Sequence, residues 1–233
     1  MNSLRSIAAA LALSPTLLAC AQQKHAPSSP AGDAIWMKSF AAPCNSTPCP
    51  LHGVGDENRL SNDQRLLPLL RSSLHQKQWF FSQTHNFMPV AEMVSTFIGV
   101  PGSAILDADR YVTADGCVPH TCDVLRGMLW IDTGAHPATL IFAATDAIDS
   151  VDYTKQIYQD QFHLWLFVSN NRRPPTTLPP EFLSSLKRWH DVNEANGYKQ
   201  DIALVTIVQP DGGQTDLSYS NLFTQRAAPG AKK

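Results

Sequence analysis

Four of the five cysteines form two pairs with the same spacing, and this spacing restricts the fold more than any other feature of the sequence. Four residues separate Cys44 from Cys49, and four residues separate Cys117 from Cys122. Four cysteines allow three connectivities, and we favour the two local pairs because they need no long-range approach of the chain. Loops of this length restrict the unfolded chain by only about 2 kcal/mol. We therefore expect them to set local shape more than overall stability.

The fifth cysteine, Cys20, follows a segment that is typical of secretion signals. Residues 1–19 contain one basic residue and then a mostly apolar run that is too short for a transmembrane helix. The tetrapeptide over residues 17–20 resembles the bacterial lipobox, in which cleavage leaves an N-terminal cysteine that is acylated at its sulfur. We expect a signal peptide over residues 1–19, a lipid anchor at Cys20 and a flexible tether that ends at residue 34.

The lipobox resemblance implies a location in the periplasm or at the outer membrane, with the lipid as the only contact with the membrane. The alternative is an ordinary secreted protein in which Cys20 is free or removed. Export of the chain is expected under both interpretations. The other four cysteines would then lie in an oxidising compartment, where disulfides persist.

Composition argues against several classes of function. The formal net charge is −2, and the lysines and arginines form no basic stripe. A nucleic-acid-binding protein needs clustered positive charge to displace counterions from phosphate, so we expect no nucleic-acid partner. The common phosphate-loop, dinucleotide, zinc-protease and serine-hydrolase motifs are missing from the sequence. We expect no cofactor, no metal and no catalytic residue, and we leave the oligomeric state open, with a dimer as one option.

Apolar and alternating segments predict a mostly antiparallel, twisted sheet with helices packed on it, which is an α+β fold. The predicted strands cover residues 110–115, 125–132, 139–145, 162–168, 202–208 and 215–219. Helices are expected after Ser61, from Pro89 to Gly99, and from Phe182 to Gly197. Pro68 should kink or split the first helix.

The segment over residues 164–168 is apolar on both faces, which predicts a strand at the centre of the sheet. We expect a single domain over residues 35–233. Three histidines outside the cysteine loops have simple expectations. His163 is expected in the core, and His136 and His190 are expected to be exposed to solvent.

The loop between Cys117 and Cys122 carries the candidate functional residues. Pro119 fixes one backbone angle, and a disulfide would hold the loop ends, so that His120 is displayed on a rigid turn between two strands. Four interpretations remain open: a cysteine–histidine metal site, a redox site, a stapled turn whose histidine faces water, and a preorganised probe for a partner. Thioredoxin-like chemistry uses CxxC at the start of a helix, whereas this pattern is CxxxxC between strands.

The hexapeptide over residues 117–122 resembles the Cys-x-Pro-His-x-Cys loop of the inhibitor of vertebrate lysozyme family. The flanking strand patterns over residues 110–113 and 125–130 fit that family as well. The resemblance implies an exported protein whose loop is closed by a Cys117–Cys122 disulfide and enters the active-site cleft of a lysozyme. There His120 would hydrogen-bond the catalytic carboxylates, with Pro119 as its support.

The resemblance covers about residues 87–170 and is most specific within the six-residue loop. Val118 and Thr121 stand where family members carry a basic and an acidic residue, and we include both among the expected partner contacts. The Cys44–Cys49 loop has no family counterpart. The C-terminal extension over residues 171–233 has none either.

The charge around the loop is also consistent with a basic partner. Nine aspartates and three basic residues lie between residues 107 and 160, a local net charge of −6: Asp107, Asp109, Asp115, Asp123, Asp132, Asp146, Asp149, Asp152 and Asp160 against Arg110, Arg126 and Lys155. An acidic face would speed encounter with a cationic enzyme. The alternative is that these aspartates are turn residues and solvated strand ends.

Two functional hypotheses from different classes follow from the sequence. The first is a non-enzymatic, exported inhibitor that inserts the His120 loop into the cleft of a lysozyme-like glycosidase. The second is a structural or adaptor lipoprotein of the cell envelope that uses the same loop for another partner.

Overall fold

A computed structural model describes residues 34–44, 59–78, 88–148, 154–156, 160–169, 178–198 and 200–224. The signal peptide, Cys20, the tether up to residue 33 and Cys49 lie outside these residues. Ala34 is buried in the core, so the packed structure includes this last residue of the expected tether. Within the described residues, no helix has the length and apolar character needed to cross a membrane.

The described strands, numbered in chain order, are β1 Ala42–Pro43, β2 Lys77–Gln78, β3 Met88–Pro89, β4 Val100–Asp107, β5 Tyr111–Cys117, β6 Arg126–Asp132, β7 Thr139–Ala147, β8 Phe162–Val168, β9 Ile202–Val208 and β10 Gln214–Leu217. Eight of them form one sheet in the order β1-β4-β5-β6-β7-β8-β9-β10, and β2 and β3 form a separate pair. In the large sheet, β1 with β4 and β8 with β9 are parallel. The other neighbours are antiparallel.

The helices are α1 Leu66–Ser73, α2 Val90–Phe97, α3 Pro180–Ala195 and α4 Tyr219–Thr224, with 3-10 helices at Ile35–Phe40 and Arg59–Asn62. Helices α1 and α2 pack with one face of the sheet in the first apolar cluster. Helices α3 and α4 pack with the other face in the second cluster. The predicted α+β class, a mostly antiparallel sheet with helices on it, is confirmed.

Strand β8 is an interior strand, as its apolar residues on both faces predict. It pairs with β7 on one side and β9 on the other. Phe167 lies in the first cluster, and Leu164 and Leu166 lie in the second. The parallel pairing of β8 with β9 follows from α3, which connects them across one face of the sheet.

The helix predicted to start after Ser61 is divided into the 3-10 helix Arg59–Asn62 and α1, as the expected split allows, but α1 starts later than predicted. Helix α1 begins at Leu66, so Pro68 is its third residue. Backbone N–H groups in the first turn have no partner within the helix, so a proline there removes no hydrogen bond.

Strand β4 was not predicted, because Pro101 and Gly102 interrupt its pattern. An irregularity in the register of β4 against β5 falls between Pro101 and Ala104. A Cβ atom at Gly102 would lie 2.6 Å from Oδ1 of Asp115, so only glycine fits beside this carboxylate. The same Oδ1 accepts a hydrogen bond from the Ser103 backbone N–H at 2.6 Å. The bulge therefore wraps around a buried carboxylate.

Candidate functional site

The cysteine loop is the connection between β5 and β6. Cys117, the last residue of β5, lies opposite Arg126, the first residue of β6. A disulfide joins Cys117 to Cys122, with their Cα atoms 4.9 Å apart. The predicted local pairing of these two cysteines is present. Cys44 is also disulfide-bonded, and its expected partner Cys49 lies outside the described residues.

The tip of the loop is a tight turn with His120 in an unusual backbone conformation. The Thr121 N–H donates to the Val118 carbonyl at 3.1 Å and closes a four-residue turn. Pro119 occupies the second position of this turn, and His120 occupies the third with φ of 67°. Positive φ at the third position is the mark of a type II turn, where glycine or asparagine is usual. The turn therefore imposes about 1 kcal/mol or more of backbone strain on His120.

The structure places the four predicted partner-contact residues differently. Pro119 and His120 are exposed, and Thr121 is half-buried. The prediction that Val118 contacts a partner is wrong. Val118 is only 8% exposed and packs in the first apolar cluster, so it offers a partner almost no surface. Val118 contributes to the loop through backbone hydrogen bonds. Its N–H donates to the Leu125 carbonyl, and its carbonyl accepts from the Thr121 N–H.

A buried arginine supports the loop from below. Arg126 is only 2% exposed, and its Nη1 donates to the carbonyl of Cys122 at 3.0 Å. Its guanidinium carbon lies 4.1 Å from the ring centroid of Tyr198, which is cation–π geometry. Burial lowers the pKa of Arg126, while the charge of Asp115 acts against that change. The guanidinium thus ties the end of the disulfide loop to the segment that precedes β9.

Asp115 supplies the buried negative charge that faces this arginine. It is 7% exposed, and desolvation raises its pKa to about 6 although the Ser103 N–H and the charge of Arg126 both lower it. Asp115 and Arg126 lie on the same face of neighbouring strands, near the base of the loop. Two opposite charges thus lie in the interior beside the candidate site.

A second set of hydrogen bonds fixes the C-terminal side of the loop. Thr145 Oγ1 donates to the Val124 carbonyl at 3.2 Å and accepts from Gln200 Nε2 at 3.0 Å. The Arg126 N–H donates to the same Oγ1 at 3.3 Å. The loop is therefore held by contacts from β7 and from the segment before β9, as well as by its own disulfide.

The sequence alone does not indicate that Arg126, Thr145 and Gln200 support the loop. A charged residue at the start of a strand is usually solvated, and nothing in the loop motif marks Arg126 as buried. A signal was nevertheless present in the predicted strands. The antiparallel register places Asp115 and Arg126 on one face, where an isolated pair of opposite charges among apolar residues indicates burial.

The predicted acidic face around the loop is only partly present. The far end of the sheet, where β4 turns into β5, holds Asp107, Asp109 and Asp132. They pair there with Arg188, Lys38 and Arg110 respectively. Asp115 is buried, and Asp149 and Asp152 lie outside the described residues.

The loop end of the sheet, defined by Cys117, Arg126 and Ile202, carries its own acidic residues. Asp123 and Asp160 are exposed there, together with Glu194 at the end of α3 and Asp201 before β9. The last two fall outside the segment counted in the sequence. Tertiary structure thus replaces part of the predicted acidic set with residues from the C-terminal extension.

The other histidines also differ from simple expectation. His190 was predicted to be solvated, but it is half-buried, with Nε2 3.1 Å from the Gln200 carbonyl and its ring 5.2 Å from that of Tyr219. His163, which was expected in the core, is partly buried. Its Nε2 lies 2.7 Å from Thr206 Oγ1, and burial lowers its pKa to about 4.

Metal binding at the loop would need free thiolates, and both loop cysteines are joined in a disulfide. Among the described residues, no group of three or more histidine, cysteine, aspartate or glutamate side chains is arranged to hold a metal ion. The geometry of the loop can present one imidazole to a partner on a rigid support.

Comparisons of the chain with protein-family models, with curated proteins and with solved structures give no match.

Proposed function

We propose that this chain is an exported protein inhibitor that inserts the His120 loop into the active-site cleft of a lysozyme-like muramidase. The observation that carries the proposal is the position of His120 at an exposed tip whose ends are joined by the Cys117–Cys122 disulfide. The resemblance of residues 117–122 to the loop of the inhibitor of vertebrate lysozyme family supplies the target class. The proposed protein is not an enzyme and needs no cofactor.

The chemistry of the target suits an imidazole. A glycosidase cleft holds two carboxyl groups, one of which acts as an acid while the other is ionised. An imidazole N–H can donate to the ionised carboxylate, and a protonated imidazole can pair with it. Occupation of the cleft blocks the polysaccharide by exclusion, with no chemical step in the inhibitor.

Rigidity of the loop favours this use. A flexible loop would lose conformational entropy when it enters a cleft, and a loop that is already ordered avoids much of that cost. The turn hydrogen bond, the disulfide and Arg126 hold the tip from three directions. These contacts support a binding role for the loop.

The experiment is an inhibition assay with the full chain carrying Cys20→Ser, which removes the proposed acylation site. The rate of lysis of a cell-wall suspension by vertebrate lysozyme is measured as the protein is added. We expect inhibition, and we expect His120→Asn to weaken it at least about 30-fold, the loss of a hot-spot residue worth about 2 kcal/mol. Asparagine tolerates positive φ, so this variant removes the imidazole and keeps the turn.

His136→Asn is the matched control, because His136 is an exposed histidine in the turn after β6, at the far end of the sheet. It should inhibit as the parent does. Equal inhibition by the parent and His120→Asn would contradict insertion of the imidazole. Binding of an envelope protein through the loop, without any effect on muramidases, would favour the adaptor hypothesis instead.

We also propose export to the periplasm or outer membrane with a lipid on Cys20, based on the sequence over residues 1–20. Radiolabelled fatty acid should enter the full chain in bacterial cells and should not enter Cys20→Ser. Equal labelling of both would contradict acylation at this cysteine.

A further inference from the structure

A pocket of about 590 Å³ opens between the C-terminal half of α3, the start of β9 and α4. Its size lies within the usual range for small-ligand sites, roughly 300 to 1,000 Å³. The six residues that line it are His190, Glu194, Gln200, Asp201, Ile202 and Tyr219. None of the proposed loop residues is among them.

The lining combines negative charge with an aromatic wall. Glu194 and Asp201 are exposed carboxylates, and no lysine or arginine is among the described residues that line the pocket. Asp201 is oriented by the Gln161 amide, whose Nε2 donates to its Oδ2 at 2.8 Å. Burial and the nearby charges of Asp191 and Glu194 raise the pKa of Tyr219, so its ring remains a neutral phenol. Carboxylates beside an aromatic face suit an ammonium or guanidinium group.

The pocket wall also contains a buried acceptor with no donor. Gln200 is 2% exposed, and its Nε2 donates to Thr145 and to the Val124 carbonyl. Its Oε1 has no hydrogen-bond partner among the described residues. Buried polar atoms without partners are rare in proteins. A hydrogen-bond donor that reaches this wall would complete it.

Gln200 connects the pocket to the His120 loop. Its Nε2 lies 3.4 Å from the carbonyl of Val124, within the loop connection. Strand β9, beside the pocket, is three strands away from β6, about 14 Å at the usual strand spacing. One protein partner covers a patch of roughly 800 Å², which is wide enough to include both the loop and the pocket.

We propose that this pocket receives a lysine or arginine side chain of the protein that binds the His120 loop. The partner component of this inference rests on the proposed function, whereas the cation-binding component concerns the pocket alone. Phe223, which is 37% exposed and lies 5.1 Å from the Tyr219 ring, gives the rim an apolar surface for the stem of such a side chain.

The test of the pocket uses arginine amide as the probe, titrated into the full Cys20→Ser chain. The NMR signals of the His190 and Tyr219 rings are followed, with N-acetylglutamate as the anionic comparison. We expect saturable shifts with arginine amide and none with the anion. Glu194→Gln combined with Asp201→Asn should weaken binding of the probe at least tenfold.

The charge-matched control is Asp109→Asn combined with Glu181→Gln, two acidic residues near the far end of the sheet. It removes the same net charge and should bind arginine amide as the parent does. Both double variants are compared with the parent by thermal unfolding, so that a folding defect is separated from loss of the site. Absence of saturable shifts in a folded parent, or equal binding by the two double variants, would overturn the inference.

A second arm measures association with vertebrate lysozyme. The pocket variant should associate at least tenfold more slowly than the control variant at low salt, because it removes acidic charge within the contact surface. Lysozyme inhibition that depends on His120 and is unaffected by the pocket variant would overturn the partner component. Binding of arginine amide without any lysozyme inhibition would contradict the proposed function and would leave the cation site standing.

Discussion

The two ends of the sheet use charge in opposite ways. At the far end, Arg110 pairs with Asp132 and Arg188 pairs with Asp107, each through two nitrogen–oxygen contacts. At the loop end, the one described arginine of β6 is buried, and no described cation forms an ion pair with Asp123, Glu194 or Asp201. The charges at the far end therefore neutralise one another, whereas the acidic charges at the loop end remain available to a partner.

The same residue types thus have a structural use at the far end and, in the proposed function, a binding use at the loop end. Paired surface charges satisfy one another and attract little else. A buried cation below an exposed acidic surface supports the backbone without neutralising that surface. The variants below test the two ends against each other by removing equivalent features from each.

The largest effect is expected for the buried arginine. Arg126→Met removes the cation that faces Asp115 and the donor to the Cys122 carbonyl. Loss of a charged hydrogen-bond donor inside the protein costs about 2 kcal/mol or more. Arg110→Met, at the far end, removes a side chain that is 48% exposed and should cost much less, because solvent screens an exposed ion pair. Urea unfolding of both variants measures the difference, and equal losses would remove the distinction between the two ends.

A pH effect of similar size is expected from Asp115. Its folded pKa, about 6, lies above its ordinary value of 3.8, so the folded state favours its protonated form. The resulting contribution is complete below about pH 4 and is lost as pH rises through 6. The shift corresponds to roughly 3 kcal/mol at most, at about 1.4 kcal/mol for each pKa unit. Asp115→Asn should remove this dependence of the free energy of unfolding on pH between pH 4 and 6.

Asp132 at the far end should give the opposite dependence of stability on pH. Its hydrogen bonds from Arg110 and the Gly134 N–H outweigh the effect of burial and hold its pKa below the ordinary value. Its contribution to stability is present above about pH 4 and is lost as pH falls. Asp132→Asn should therefore lower the free energy of unfolding above about pH 4 and leave it little changed at lower pH. A parent profile that rises from pH 4 to 6, with no change in Asp115→Asn, would contradict the assignment for Asp115.

Removal of the loop disulfide should have an intermediate effect on stability. Cys117→Ser with Cys122→Ser should cost about 2 kcal/mol and should also reduce inhibition, because the loop then has to be ordered on binding. Cys44→Ser with Cys49→Ser removes the other expected staple and should cost a similar amount without affecting inhibition. Unfolding curves and lysis assays are run on both. Full inhibition by the first variant would show that the staple does not preorganise the site.

The smallest effect is expected at residues with positive φ. His120 has φ of 67°, and at the far end Ala108 has φ of 51° in the turn between β4 and β5. Glycine adopts these conformations without steric cost, so each change to glycine should stabilise the fold by up to about 1 kcal/mol. Ala108→Gly should keep inhibition, and His120→Gly should abolish it. Destabilisation by His120→Gly, measured by thermal unfolding, would contradict a strained turn.

Local pattern predicted most of the sheet because each of its hairpins carries its own periodicity and turn residues. Strand β4 could not be predicted from its own sequence. Its irregular register accommodates the side chain of Asp115, which lies on the neighbouring strand and approaches Gly102 only in the folded sheet. The disulfide of the loop could be predicted from the spacing of Cys117 and Cys122. The support of the loop could not, because Arg126, Thr145 and Gln200 come from different segments and meet only after the sheet has formed.

Val118 and His190 show the same limit at single residues. A valine inside a polar loop motif and a histidine on a polar helix face both indicate exposure when only their neighbours in sequence are considered. Packing of the whole sheet decides otherwise. Val118 turns into the first apolar cluster, and His190 meets Tyr219 from α4.

The most direct test of cleft insertion is competition for lysozyme between the full Cys20→Ser chain and a chitin oligosaccharide that fills the active-site cleft. Binding of the two is followed by calorimetry at several oligosaccharide concentrations. The proposed mechanism predicts mutually exclusive binding, with an apparent Kd of the chain that rises in proportion to the oligosaccharide. An unchanged Kd in the presence of saturating oligosaccharide would contradict it.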